Sequence, residues 1–208
     1  MPKHKIKRQS TAIDMTAMCD VSFLLLTFFM LATKFKPPDP VEVITPASIS
    51  DTKIPETDIM LISIDGKGRV FFEMDGQPVR KQLIEEINQD QNLGLTQGEM
   101  NNFILGTGVG VPFNQLKSLL QLNPSDQKNF KATGIPVDST LTETNQLFKW
   151  VAYGRLVNQN ARIAIKGDGT AKYPVVKDVF STLANDKVQG YKFNLVTSLK
   201  EKPGSKEE

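Results

Sequence analysis

The sequence predicts a single-pass membrane protein carrying one α/β domain outside the membrane, and three observations predict it. One stretch, residues 15–33, is long and apolar enough to cross a bilayer. A cluster of cations with no acid among them, Lys3, Lys5, Lys7 and Arg8, precedes that stretch. Beyond it, apolar residues alternate over short runs and then recur at helical spacing, first as strand, turn, strand and helix and later as strand, helix and strand. Patterns of that kind make a small mixed sheet with helices, built here from a ββα half and a βαβ half.

The first element is the span. At about 1.5 Å per residue a helix of this length matches a hydrocarbon core of about 30 Å. It is assigned to residues 12–35, with residues 1–11 as a short tail. The positive-inside rule keeps the basic tail in the cytoplasm. Lys34 and Lys36 at the far end are fewer, and Asp39 and Glu42 follow them. A cleaved signal peptide shares the basic-then-apolar order. Residues 30–35 offer no small-x-small cleavage site, however, and Asp20 interrupts the start of the apolar run. An uncleaved anchor is therefore expected.

Asp20 is the candidate functional residue of that anchor. A carboxylate at the centre of a membrane helix costs about 2.5 to 3.5 kcal/mol on insertion scales, so it marks a functional site by default. Its stem is too short to reach the headgroups as a lysine would. Helical steps of three and four place Thr16, Leu24, Thr27 and Leu31 on the stripe that carries Asp20. Thr27 has two readings. Its hydroxyl either donates to its own helix backbone and is silent, or extends a polar track outward from Asp20.

After the span comes an extended linker, residues 36–58. Pro37, Pro38 and Pro40 forbid helix continuation. Val41 and Val43 flank Glu42 as in a short strand that Pro46 stops, and residues 47–58, rich in Ser, Thr, Asp and Pro, read as a mobile linker. The outer domain is placed at residues 59–199. Residues 59–64 and 69–73 are strands joined through Asp65-Gly66-Lys67-Gly68, a hairpin signal. Asp75-Gly76 turns the chain into a helix over residues 78–88, with Val79, Leu83, Ile84 and Ile87 on one face.

In the middle, residues 111–122 and 143–157 have helical periodicity, and Trp150 and Tyr153 are expected to pack the second of these against the sheet. The run containing Gly106, Gly108 and Gly110 lacks the Lys-Ser or Lys-Thr of a phosphate loop and reads as a flexible connector. Residues 161–166 form a strand, 173–186 a helix with Val175, Val176, Val179, Phe180 and Leu183 inward, and 191–196 a last strand before a charged tail at 200–208. A strand, helix and strand in that order make a parallel pair crossed by the helix.

The chemistry of the outer domain is sparse. The one histidine, His4, lies in the tail, so no Ser-His or Cys-His pair forms outside. The one cysteine, Cys19, lies in the span, so the outer domain has no disulfide. No zinc or calcium ligand spacing occurs. The net charge of +2 is less than the basic tail supplies, so the remainder is slightly acidic and presents no nucleic-acid surface. Asp65, Glu73, Asp75, Asp138 and Asp168 sit mainly at turns and read as solvated acids. No enzymatic activity, cofactor or metal is expected.

Residues 14–30, Asp-Met-Thr-Ala-Met-Cys-Asp-Val-Ser-Phe-Leu-Leu-Leu-Thr-Phe-Phe-Met, resemble the ExbD/TolR family, the small subunits of proton-driven energy-transducing complexes in Gram-negative envelopes. They are similar to its "NVTPxxD" pattern, apolar helix and Phe-Met. Asp14 stands where the family often has Asn, and Ala17 where it has Pro. Val41-Glu42-Val43 with Pro46 resembles the family's extended segment just outside the membrane, with Thr45 in place of Leu. Residues 59–87 and 161–199 resemble the two halves of its periplasmic domain, and residues 93–150 stand out as an inserted, mainly helical segment.

The resemblance implies an inner-membrane protein with Asp20 as proton carrier and Thr16, Leu24 and Thr27 facing a pore or partner. It implies that two copies sit within an ExbB-like polytopic ring and engage a TonB-like protein in the periplasm, with Val41, Val43 and Pro46 in that interaction. Two alternatives stay open. One is a TolR-like subunit of the envelope-integrity motor, and the other is a membrane-anchored periplasmic binding module with no ion transport.

Overall fold

The computed structural model describes residues 15–32, 43–45, 47–48, 57–138, 144–184, 193–196 and 198–199. The chain divides into two compact units, Met1–Lys36 and Pro37–Glu208.

The first unit contains helix α1, Met15–Ala32, which buries none of its side chains. Its one charged residue is Asp20. The helix is long and apolar enough to cross a membrane. Phe23, Leu24, Leu25, Leu26, Phe28 and Phe29 are all exposed, as a surface made for lipid or for another membrane helix requires.

The second unit is a four-stranded mixed sheet with helices. Its strands are β2 (Ile59–Ile64), β3 (Val70–Met74), β4 (Arg162–Gly167) and β5 (Phe193–Val196), in the order β3-β2-β4-β5. β2 and β3 form the expected antiparallel hairpin, with Ile62 opposite Phe72. β4 runs parallel to both β2 and β5, pairing Ile62 with Ile165 and Ile165 with Leu195. Helix α6, Tyr173–Leu183, lies between β4 and β5 in sequence, which completes the predicted βαβ half. A separate two-stranded parallel pair joins β1, Ala47–Ser48, to β6, Ser198–Leu199. β1 therefore falls within the stretch read as a mobile linker, and that reading is corrected at Ala47 and Ser48. At the far end of the same stretch Asp58 is also tied: its carbonyl accepts the Arg162 amide at 2.8 Å and its carboxylate accepts the Asn158 side chain at 2.9 Å.

One face of the sheet makes the core. Met60, Ile62 and Ile64 of β2, Phe72 and Met74 of β3 and Ile163 and Ile165 of β4 are essentially inaccessible, and period-two alternation puts them on a common side. Helix α2, Gln77–Asp90, buries Leu83, Ile84 and Ile87 as the spacing predicts, with proline in its first turn where no amide partner is lost. Helix α5, Gln146–Val157, starts at Gln146 because Asn145 caps it, accepting the Phe148 amide at 3.0 Å. Its Trp150 is fully buried between Phe72, Phe103 and Phe113, with ring centroids 5.4, 6.0 and 5.4 Å away.

Residues 93–138 hold two further helices, α3 (Gln97–Leu105) and α4 (Phe113–Leu120), followed by a turn of 3-10 helix at Gln127–Asn129. Helical periodicity located α4. α3 was missed, although Thr96 and Glu99 carry the capping-box spacing and form both of its bonds, at 3.3 and 2.7 Å. The glycine run between the helices is no flexible connector. Thr107 and Val109 are buried, and Val109 exchanges both backbone hydrogen bonds with Phe72 at 2.8 Å.

Candidate functional site

Asp20 sits at the sixth position of α1, exposed along with its neighbours. Thr16 lies one turn before it, Leu24 one turn after and Thr27 two turns after, so the backbone keeps the predicted stripe on one face. Thr27 donates its hydroxyl to the Leu24 carbonyl at 2.9 Å, three residues back. Ser22 does the same toward Met18 at 2.8 Å. Both hydroxyls therefore spend their proton on the helix and keep their oxygen lone pairs for accepting. On the stripe, Thr27 can thus receive a hydrogen bond from water or from a protonated carboxyl.

Of the linker residues, Val43 is half-buried, while Val41 and Pro46 lie outside the described residues. Next to Val43, the Ile44 amide donates to Asp168 Oδ2 at 3.1 Å and the Ile44 carbonyl accepts the Gly169 amide at 3.1 Å. Asp168 also accepts the Thr170 hydroxyl at 2.6 Å and the Thr170 amide at 2.8 Å. These bonds, the Thr170 hydroxyl first and the two amides after it, hold its carboxyl below the usual Asp range. Folding thus favours the charged form, and the contribution is present above the ordinary value near 3.9 and lost as pH falls through the lower one. The bond to Ile44 persists across neutral and mildly acidic pH. The motif Gly167-Asp168-Gly169-Thr170 signals only a turn with a solvated acid, and the bond to Ile44 corrects that expectation. A contact across 124 residues leaves no local trace.

Two other acids depart from that reading. Asp65 is buried and carries the hairpin, accepting the Lys67 and Arg69 amides at 3.0 and 2.7 Å and pairing with the Arg69 guanidinium at 2.6 Å. Glu73 is half-buried and lies 3.5 Å from Arg80. Nothing local marks Arg80, which sits on α2 among charged neighbours. It is buried, and its guanidinium donates to the carbonyls of Met74 at 2.6 Å, Ile104 at 3.1 Å, Thr107 at 3.0 Å and also Gly106. Burial lowers its pKa, opposed by Glu73 and Asp75.

Among the described residues no cluster of His, Cys, Asp or Glu could hold a metal ion. Arg80 gives four bonds to main-chain carbonyls and faces Glu73 at 3.5 Å, so it is a clasp within the fold. The described residues also hold one acid on an apolar helix, in a chain whose other unit is a small mixed sheet with helices.

An apolar N-terminal helix followed by such a sheet defines a class of single-span proteins with an α/β domain. Within that class, residues 7–199 match the family described as biopolymer transport protein ExbD/TolR. The match runs from ahead of α1 to the end of β6, and the chain belongs to that family. No curated protein and no solved structure matches it.

Proposed function

We propose that this chain is an ExbD-like subunit of a proton-motive-force-driven inner-membrane motor that energises TonB-dependent outer-membrane transport. Asp20 is its proton carrier. The observation that supports this most is a single carboxylate on an 18-residue helix with no other charge and no buried side chain. An acid cannot remain against lipid cheaply, so its face of α1 needs protein or water around it. A polytopic ring subunit of the ExbB kind supplies both, and a second copy of α1 shares that enclosure.

Gain of a proton neutralises Asp20 and frees α1 from whatever charge or dipole held it, and loss of the proton restores the hold. Each charge crossing the membrane potential releases about 2.3 kcal/mol per 100 mV. Thr16 and Thr27 flank the carboxyl as hydrogen-bond acceptors on the route, and Leu24 packs against the partner. The basic tail stays in the cytoplasm and the sheet domain works in the periplasm, where residues 41–46 lie between span and domain and meet the TonB-like protein.

Asp20→Asn tests this, because it keeps the volume and removes titration. The variant is expected to reach normal abundance and to co-purify with its ring partner, while TonB-dependent nutrient uptake disappears. Normal uptake at normal abundance would remove Asp20 from the mechanism and leave an anchored binding module. Loss of envelope integrity with uptake intact would move the chain to the TolR-like role.

A further inference from the structure

The outer strand β3 has its free edge filled by the chain itself. Phe72 exchanges both of its outward backbone groups with Val109 at 2.8 Å. Two residues away on each side, where strand geometry again points outward, the Val70 carbonyl accepts the Ile135 amide at 2.8 Å and the Met74 carbonyl accepts Arg80 Nε at 2.6 Å. Gly134 binds the two covering segments together through its amide to the Gly110 carbonyl at 2.8 Å. The approach is close: a Cβ on Gly110 would lie 2.1 Å from the Phe71 ring. Arg80 then locks the near end by gathering the Ile104, Gly106 and Thr107 carbonyls.

An open edge is a template for strand addition by another chain, and proteins cover or interrupt edges that must not pair. We propose that the stretch through residues 106–111 and 134–135 is a built-in edge cover, occupying in cis the backbone groups of β3 to which an extended segment of a second copy would otherwise add. It keeps assembly through the sheet away from β3. Isolated bonds at 109 and 135 serve this, because a strand from another chain needs the Phe72 amide and the Val70, Phe72 and Met74 carbonyls and finds them taken. The inference does not depend on proton coupling at Asp20.

The test uses the full chain in detergent micelles. Gly110→Ala forces the covering segment off Phe71, and Arg80→Met independently releases the three carbonyls held beyond it. Hydrogen exchange at the Phe72 amide reports whether the edge is open, exchange at Met60 and Ile163 reports that the sheet persists, and particle mass over a dilution series reports association. In both variants Phe72 is expected to exchange about tenfold faster or more in dilute sample, with mass rising on concentration beyond the parent and Phe72 slowing again as it rises. Faster exchange without added association would overturn the proposal, since the uncovered edge would then recruit nothing. Unchanged exchange at Phe72 in both variants would overturn it as well, because the segment would not be what closes the edge. Loss of protection at Met60 and Ile163 in both would reassign the segment to the core.

Discussion

A carboxylate between two strands can remain hydrated or can organise the turn, and at Asp65 the bonds decide for the second. Its two oxygens take the Lys67 amide, the Arg69 amide and the Arg69 guanidinium, whose other end reaches the Ala132 carbonyl at 2.9 Å. Hydrogen bonds to a charged partner contribute about 1.5 to 3 kcal/mol each when one side is removed, less where water can replace them. Asp65→Ala is therefore expected to lower stability by about 2 to 4 kcal/mol in urea titration, with Asp65→Asn falling between it and the parent. A change below about 0.5 kcal/mol, the size of an ordinary surface substitution, would show that the turn holds without it. The turn was legible, since Asp-Gly-Lys-Gly between two apolar runs has one common outcome. The burial of Asp65 was not legible, because it depends on residues 63 positions further along that pin Arg69 over the turn.

The C-terminal end of α2 is joined to the middle of α5 by a side-chain pin. The Tyr153 hydroxyl donates to Asp90, and Lys149 reaches Gln91 at 3.3 Å. Burial first, and the bond to Asp90 second, push the Tyr153 phenol up to about 12. Folding thus favours the neutral phenol. Its contribution is full below the ordinary tyrosine value near 10 and is lost as pH rises through about 12. An absorbance titration should show one of the three tyrosines ionising near that upper value, and Asp90→Asn should bring it down. Three tyrosines titrating together in the ordinary range would remove the pin. Elements with strong apolar periodicity, α2, α4, α5 and α6, were readable because one face meets the core over several turns. α3 was not, since its nine residues bury only Glu99 and Phe103 and include Gly98. Only its capping box betrayed it. The glycine run was misread for a related reason: composition suggests freedom, while the conformation is held by β3 and Arg80 from outside.

For the molecule as a whole, the span was plain in the sequence and Asp20 within it plainer still, whereas the tie between Ile44 and Asp168 and the role of residues 93–138 depend on distant partners. The proposed topology rests on the basic tail. Ser118 lies exposed on α4, so Ser118→Cys in a Cys19→Ser background should react with a membrane-impermeant maleimide once the outer membrane alone is opened. Reaction only after the inner membrane is broken would invert the assignment. The small parallel pair of β1 and β6 has a mechanical side. β1 would be loaded from its N-terminal end, and β6 is held at its own N-terminal end by β5; parallel pairing puts those two ends together. Tension on the chain ahead of Ile44 would therefore break the two Ile44 bonds and then peel β1 from β6 one bond at a time. Strand β2, bonded along both sides to β3 and β4, would resist as a block. Between those two events the tether would lengthen toward the roughly 50 Å that residues 44–58 span at most when pulled straight, at about 3.3 to 3.6 Å per residue. A domain attached in this way yields early by a set length and then holds, as a strap does when its stitching gives before its weave.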